Sequence, residues 1–142
     1  MAVTRIQHIL IGTLLLTLFS CSKSNTCHVP FGDASCVLDL SMPSLSDLWN
    51  INGYVYISGG NKGICVTHPA PREFVAFELT CPHDHDVAVA MDPTSDGLIF
   101  ECPVCGSRFL AIDGTPLNGS VTSCSLLEYS TSYDGAYKLS IW

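Results

Sequence analysis

Residues 98–114 read LIFECPVCGSRFLAIDG, in which a cysteine-rich loop separates two short apolar runs. The runs at 98–100 and 107–110 have the length and the aliphatic and aromatic composition of β-strands. Between them, a proline stiffens the loop, a glycine allows close backbone passage, and Cys102 and Cys105 supply two thiols. We therefore predict two strands joined by a loop that presents a pair of metal-binding side chains.

The same short strand pattern continues through most of the chain, in three- to six-residue runs rich in Val, Ile, Phe and Tyr. Asn-Gly, Gly-Gly and Asp-Gly turns separate many of these runs, and only residues 45–49 have the pattern of a helical turn. Strands that recur about every ten residues predict an all-β antiparallel sandwich or barrel. The predicted strands are 37–40, 54–57, 64–67, 74–79, 87–91, 98–100, 107–110, 126–129 and 137–142.

A second loop carries chemistry of the same kind, because Cys81-Pro82-His83-Asp84-His85-Asp86 follows the strand that ends at Leu79. A lone Cys-x-x-Cys can be a redox dithiol or a local disulfide. Two ligand pairs on two loops instead predict a four-ligand site, of the kind that zinc or an iron–sulfur cluster selects. The predicted metal ligands are Cys81, His83, Cys102 and Cys105, with His85 as a spare candidate.

The charge balance excludes one large class of partner. Six Lys plus Arg against 13 Asp plus Glu give a net charge of -7, which has the wrong sign for binding nucleic acid. Six acids and no Lys or Arg lie between Glu78 and Glu101, and this stretch would attract a cationic partner face. The sequence shows no catalytic triad and no phosphate-binding glycine loop, and we expect no enzyme activity.

The N-terminal residues predict export. An apolar run at 9–19 is long enough for a signal peptide and too short to span a bilayer, and Leu18-Phe19-Ser20-Cys21 resembles a bacterial lipoprotein processing site. We therefore expect a lipoprotein signal peptide at 1–20, a lipid on Cys21, a tether over 21–34 and one domain over 35–142. The expected location is the bacterial cell envelope, where the lipid anchors the chain to a membrane.

Four cysteines remain after these assignments: Cys27, Cys36, Cys65 and Cys124. In an exported domain they can form two disulfides in three pairings, because the compartment is oxidising. Closeness in sequence favours a bond between Cys27 and Cys36.

From about Tyr54 to the C-terminus, the chain resembles the Rieske iron–sulfur proteins. These proteins carry Cys-x-His in one loop and Cys-x-x-His followed by Gly-Ser in a second, where this chain has Cys81-x-His83 and Cys102-x-x-Cys105-Gly106-Ser107. The resemblance implies an all-β fold with a small rubredoxin-like cluster-binding subdomain over about 80–110. It also implies a [2Fe-2S] cluster, with Cys81 and Cys102 on one iron and His83 and Cys105 on the other.

Cys105 departs from the family pattern by standing where the second His is expected. A thiolate there stabilises the oxidised cluster, so we expect a potential below the roughly -150 to +300 mV of ordinary Rieske centres. The N-terminal residues contain a single arginine, Arg5, whereas proteins exported with a folded-in cluster carry a twin-arginine signal. This departure favours two alternatives to the iron–sulfur cluster, which are a zinc ion and no metal. The function expected from the resemblance is a membrane-tethered one-electron carrier with an unknown redox partner. The chain is too small to include the catalytic domain of a Rieske-type oxygenase. The alternative is a non-redox binding or structural module of the same fold.

Overall fold

A computed structural model describes residues 27–142, which form ten β-strands and one short 3-10 helix at Pro43–Trp49. Pro43 opens that helix, where its fixed φ is favourable and no backbone donor is needed. The strands are β1 Cys36–Asp39, β2 Tyr54–Ile57, β3 Ile64–Ala70, β4 Glu73–Glu78, β5 Ala90–Met91, β6 Ile99–Glu101, β7 Arg108–Leu110, β8 Glu128–Tyr129, β9 Thr131–Tyr133 and β10 Lys138–Ile141.

The strands form three antiparallel sheets, which confirms the predicted all-β class. The first sheet has the order β1-β10-β9, the second β2-β3-β4-β8 and the third β5-β6-β7. All nine predicted strands have a counterpart, although only residues 90–91 of the run predicted at 87–91 form a strand. Strand β9 was not predicted, because one residue separates it from β8 and it lacks an apolar alternation.

Two apolar clusters fill the described part of the chain. The first lies between the first two sheets and contains Leu48, Val66, Leu139 and Ile141. The second joins the β3–β4 hairpin to the small third sheet through Phe77, Phe100 and Phe109, and it also contains Cys81 and Cys102. Because this second cluster continues directly beneath the cysteine loops, packing of the domain fixes where the loops begin and end.

Two hydrogen bonds also attach the third sheet to the second one. The amide of Met91 donates to the Tyr56 hydroxyl at 2.9 Å, and the Thr67 hydroxyl donates to the Ala111 carbonyl at 3.0 Å. Thr67 is buried, so its hydroxyl needs this partner. The third sheet is therefore held as a subdomain in a fixed position on the larger one.

Residues 27–34, which the sequence assigned to the tether, pack against the domain. Val29 and Ala34 are buried, and the Asp33 carbonyl accepts a hydrogen bond from the Gly60 amide at 2.9 Å. The predicted signal peptide at 1–20 and the predicted lipid site at Cys21 lie outside the described residues. Among residues 27–142, no helix has both the length and the apolar character needed to cross a bilayer.

The structure pairs Cys27 with Cys124, at a Cα–Cα distance of 5.5 Å, so the suggested bond from Cys27 to Cys36 is wrong. Cys36 and Cys65 are both free thiols. Cys36 packs against the first apolar cluster whereas Cys65 belongs to the second, so they do not pair with each other either. The disulfide joins residues 97 positions apart and fastens the N-terminal segment to the loop before β8.

We predict that alkylation of the denatured, non-reduced and metal-free protein will label Cys36, Cys65, Cys81, Cys102 and Cys105, and will spare Cys27 and Cys124. A proteolytic digest should then contain one linked peptide pair that separates on reduction, which mass spectrometry detects directly. The same digest of a Cys36→Ser variant serves as the control and should keep that pair. Labelling of Cys27 in the wild-type digest would contradict the pairing.

Candidate metal centre

The turn between β6 and β7 positions two of the predicted ligands. The strands pair at Phe100 with Phe109, and the pairing extends into the loop because the Cys102 amide donates to the Ser107 carbonyl at 2.9 Å. Gly106 closes the turn at a φ of 69°, a conformation that favours glycine, and its amide donates to the Cys102 carbonyl at 3.0 Å. Cys102 and Cys105 therefore lie on a short, hydrogen-bonded loop.

The loop after β4 is closed in a similar way. Thr80 forms a bridge with Ala88, and the Cys81 amide donates to the Val87 carbonyl at 2.9 Å. Inside the loop, the Asp84 amide donates to the Cys81 sulfur at 3.4 Å. Backbone hydrogen bonds at the base of the loop thus fix the position of Cys81, and the fold of the loop brings the Asp84 amide into contact with the Cys81 sulfur.

Three of the four predicted ligands come together. Cys81 and Cys102 are fully buried, Cys105 is half-buried, and the sulfurs of Cys81 and Cys105 lie 3.8 Å apart. The sulfurs of all three cysteines and a carboxylate oxygen of Asp84 lie within 4.8 Å of one another. Three thiols are a donor set that suits both iron–sulfur centres and zinc, so the residues present fit either group.

The structure places Asp84, and not the predicted His83, in the fourth position of this group. The His83 side chain is 45% exposed, and its Nδ1 lies 3.2 Å from a carboxylate oxygen of Asp84. His85 is exposed and is likewise outside the group. Sequence reasoning assigned Asp84 no ligand role, although a carboxylate three residues from Cys81 was the available indication.

The thiols have unequal electrostatic environments. Burial, together with the neighbouring Cys102 thiol, raises the pKa of Cys81 to about 12. Hydrogen bonds from the amides of Asp84 and His83 act in the opposite direction but are outweighed. At Cys105, burial acts to raise the pKa, but hydrogen bonding by Ser107 and by the other two thiols outweighs it and lowers the pKa. Without metal, Cys105 is therefore more readily ionised than Cys81.

Ser107 is a second residue that the sequence left without a role. Its side chain is buried, its hydroxyl lies 3.2 Å from the Cys105 sulfur, and it accepts a hydrogen bond from the Val121 amide at 3.1 Å. The hydroxyl can donate to the Cys105 thiolate while the amide of Val121 holds it in place. Ser107 thus links the metal-binding loop to the segment at 117–124.

We predict that Ser107→Ala will slow the alkylation of Cys105 in the metal-free protein several-fold at neutral pH. Losing the hydroxyl raises the pKa of Cys105, so less thiolate is present to react. The measurement is the iodoacetamide rate at each cysteine as a function of pH, read by mass spectrometry. Ser125→Ala, at an exposed serine, is the control. An unchanged rate at Cys105 in Ser107→Ala would contradict the role of the hydroxyl.

Fewer carboxylates of the acidic stretch between Glu78 and Glu101 are free to attract a partner than the sequence implies. Glu78 is fully buried and bonded within the protein. Asp92 and Glu101 both pair with the Arg108 guanidinium, at 3.2 and 3.5 Å. The attraction expected for a cationic partner therefore rests on fewer free carboxylates than the six counted in the sequence.

No protein-family profile and no curated protein sequence matches the chain. Solved structures do match it. The ferredoxin of carbazole 1,9a-dioxygenase from Nocardioides aromaticivorans IC177 is 16% identical with a TM-score of 0.49, over 77% of this chain and 97% of that one. A chain in a complex of reduced oxygenase and oxidized ferredoxin in carbazole 1,9a-dioxygenase is 19% identical with a TM-score of 0.51, over 75% and 91%.

The second match covers most of both chains, and it agrees with what the two cysteine loops and the three antiparallel sheets indicate independently. The fold expected from the resemblance of the loop motifs is confirmed, and at this level of identity the match establishes the fold alone. The chain has the fold of a Rieske-type ferredoxin domain.

Proposed function

We propose that this protein is a one-electron carrier with a [2Fe-2S] centre held by Cys81, Cys102 and Cys105. The observation that carries the proposal is the convergence of the three sulfurs at two loops of a Rieske-type fold. A bound iron–sulfur cluster would supply a one-electron redox couple. In this proposal the protein acts as a carrier rather than an enzyme, which the match to a chain in a complex of an oxygenase with a ferredoxin supports.

The residues around the thiols suit an exchange with a partner protein. Cys105 is the least buried of the three cysteines, and the adjacent Val104 is 67% exposed. Val121, whose amide is bonded to Ser107, is 60% exposed. These side chains offer an apolar surface beside the site on which a redox partner can dock and exclude water. The matched complex of an oxygenase with a ferredoxin supports a partner of this kind.

Protein purified from its native envelope tests the proposal, since a foreign host can insert the wrong metal. We expect a red-brown solution with about two iron and two sulfide ions per chain, and an EPR signal with a low average g value on reduction. The midpoint potential should fall below roughly -150 mV, because a thiolate stands where Rieske centres have an imidazole. Colourless protein with one zinc per chain and no iron would overturn the proposal.

One observation favours a structural zinc ion as a second candidate. The sulfurs of Cys81 and Cys105 are 3.8 Å apart, and a tetrahedral ion with Zn–S bonds of about 2.3 Å places its ligand atoms about 3.8 Å apart. With zinc, these residues would stabilise the fold and carry no electron.

The proposal includes export and a lipid anchor on Cys21, which rest on the sequence pattern of the N-terminal residues. The disulfide between Cys27 and Cys124 supports export, since such bonds persist mainly in oxidising compartments. A Cys21→Ser variant should move from the membrane fraction to the soluble fraction of the cell. Cys36→Ser is the control and should stay with the membrane. An unchanged distribution of Cys21→Ser would overturn the anchor.

A further inference from the structure

Four donor atoms lie together at the two cysteine loops, and one of them belongs to a residue outside the family motif. The group consists of the sulfurs of Cys81, Cys102 and Cys105 and an oxygen of Asp84, all within 4.8 Å of one another. We infer that the Asp84 carboxylate is the fourth ligand of the metal and that His83 is a positioning residue. The inference rests on the proposed metal site and holds for iron or zinc.

The backbone brings Asp84 to this position. Its amide donates to the Cys81 sulfur at 3.4 Å, and its carbonyl accepts a hydrogen bond from the Val87 amide at 2.9 Å. Both bonds fix the residue inside the closed loop, directly above a ligand sulfur. The Asp84 side chain is 30% exposed, so it lies at the boundary between the buried thiols and solvent.

His83 faces Asp84 instead of the sulfurs. Its Nδ1 lies 3.2 Å from an oxygen of Asp84, and the ring lies in a cleft beside residues 120–124. A ring N–H that donates to a ligating carboxylate is a common outer contact of metal sites, and it fixes the orientation of the carboxylate. The Cys-x-His spacing therefore places the imidazole one contact away from the metal.

The chemistry of the donors is compatible with a single tetrahedral divalent ion. Carboxylate oxygen binds zinc at about 2.0–2.2 Å, and thiolate sulfur at about 2.3 Å. Three thiolates and one carboxylate carry four negative charges, so the occupied site has a net charge of -2 with a divalent ion. The His83 ring, whose Nδ1 lies 3.2 Å from the carboxylate, can offset part of this charge by donating a ring N–H to Asp84.

The test compares metal binding by variants of the full chain, with Zn²⁺ and Co²⁺ alone as probes. Asp84→Ala should weaken Zn²⁺ binding more than about 100-fold in competition with a chelator, and should change the visible d–d bands of the Co²⁺ form. His83→Ala should weaken binding about 10- to 100-fold. His83→Gln, which keeps a donor for Asp84, should bind within about 10-fold of wild type and keep the wild-type Co²⁺ spectrum. Asp86→Ala, at an exposed acid of the same loop, is the control.

Two results would overturn the inference. One is wild-type affinity and an unchanged Co²⁺ spectrum in Asp84→Ala. The other is failure of His83→Gln to recover affinity and spectrum, since a side chain that only donates to Asp84 would then not replace the imidazole. Circular dichroism of the metal-free variants shows whether each is folded. The outcome is separate from that of the proposed function, because native protein that contains only zinc refutes electron transfer and leaves the ligand assignment intact.

Discussion

Replacing Cys102 by serine is expected to strip the purified protein of its metal and to weaken Zn²⁺ binding more than about 100-fold. Cys102 is fully buried, and its sulfur lies within 4.8 Å of the other three donors. A serine hydroxyl is a poor ligand at neutral pH, and the buried position leaves little room for water to replace the sulfur. Metal content after purification and competition with a coloured chelator measure the two effects.

Cys36 and Cys65 provide matched controls for this variant. Cys36 is half-buried against the other apolar cluster, so Cys36→Ser should retain the full metal content. Burial raises the pKa of Cys65 to about 12, so this thiol is protonated at neutral pH, and Cys65→Ser should cost stability and no metal. Wild-type metal content and affinity in Cys102→Ser would contradict a site at these two loops.

The local parts of this structure could be predicted from the sequence, because they depend on neighbouring residues. The run at 98–114 combines strand-forming residues with a tight turn, and it forms the β6 and β7 pair with Cys102 and Cys105 in its turn. The ligand motifs also identified Cys81 correctly as a neighbour of both thiols. Residue type and spacing were sufficient for these features, since each loop is closed by its own backbone bonds.

Features that depend on distant contacts could not be predicted in this way. The disulfide joins Cys27 to Cys124 across 97 positions, and nothing in the local sequence of either residue indicates the other. Glu78 was counted with an exposed acidic stretch, although its donors come from a loop 16 and 17 positions away and from Tyr129. The position of Asp84, rather than His83, beside the three sulfurs depends on a loop conformation that spacing alone does not specify.

Replacing Glu78 by glutamine is expected to lower the free energy of unfolding by about 3 kcal/mol, because buried donors to a charged group lose their acceptor. One carboxylate oxygen accepts hydrogen bonds from the Asn61 amide at 2.7 Å and the Tyr129 hydroxyl at 2.8 Å. The other accepts from the Lys62 amide at 2.9 Å and from the amide and hydroxyl of Thr80 at 3.0 and 2.8 Å. An amide nitrogen cannot accept, so at least one of these sets is lost.

This carboxylate organises more than its own strand. It lies at the end of β4 and holds the loop between β2 and β3, where Gly60 has a φ of 65°. The Tyr129 hydroxyl also contacts the Gly32 carbonyl at 3.3 Å, which connects the N-terminal segment to the same network. A loss of about 3 kcal/mol corresponds to a drop in Tm on the order of 10 °C for a domain of this size. Thermal and urea unfolding measure it.

Glu128→Gln is the matched control, since Glu128 is exposed on β8 beside Tyr129. Its Tm should stay within about 2 °C of wild type, because exposed substitutions change stability by about 0.5 kcal/mol or less. Tyr129→Phe removes one of the donors and should cost about 1–2 kcal/mol. A Glu78→Gln protein as stable as Glu128→Gln would show that the carboxylate does not hold the loop.

The effect of Glu78 must also depend on pH. Burial acts to raise the pKa of Glu78, but the hydrogen bonds from Asn61, Lys62, Tyr129 and Thr80 outweigh it and hold the pKa below the usual value for a glutamate. The folded state therefore binds this proton less readily than the unfolded state. The stabilisation is fully present above the unfolded pKa of about 4.3 and is lost as pH falls through the folded value. The difference in the free energy of unfolding between wild type and Glu78→Gln should therefore be constant near neutral pH and shrink below about pH 4. The exposed aspartates contribute equally to both proteins, so their effects cancel in this difference. A gap that stays constant down to acid unfolding would show that the lost stability comes from packing and not from the charge.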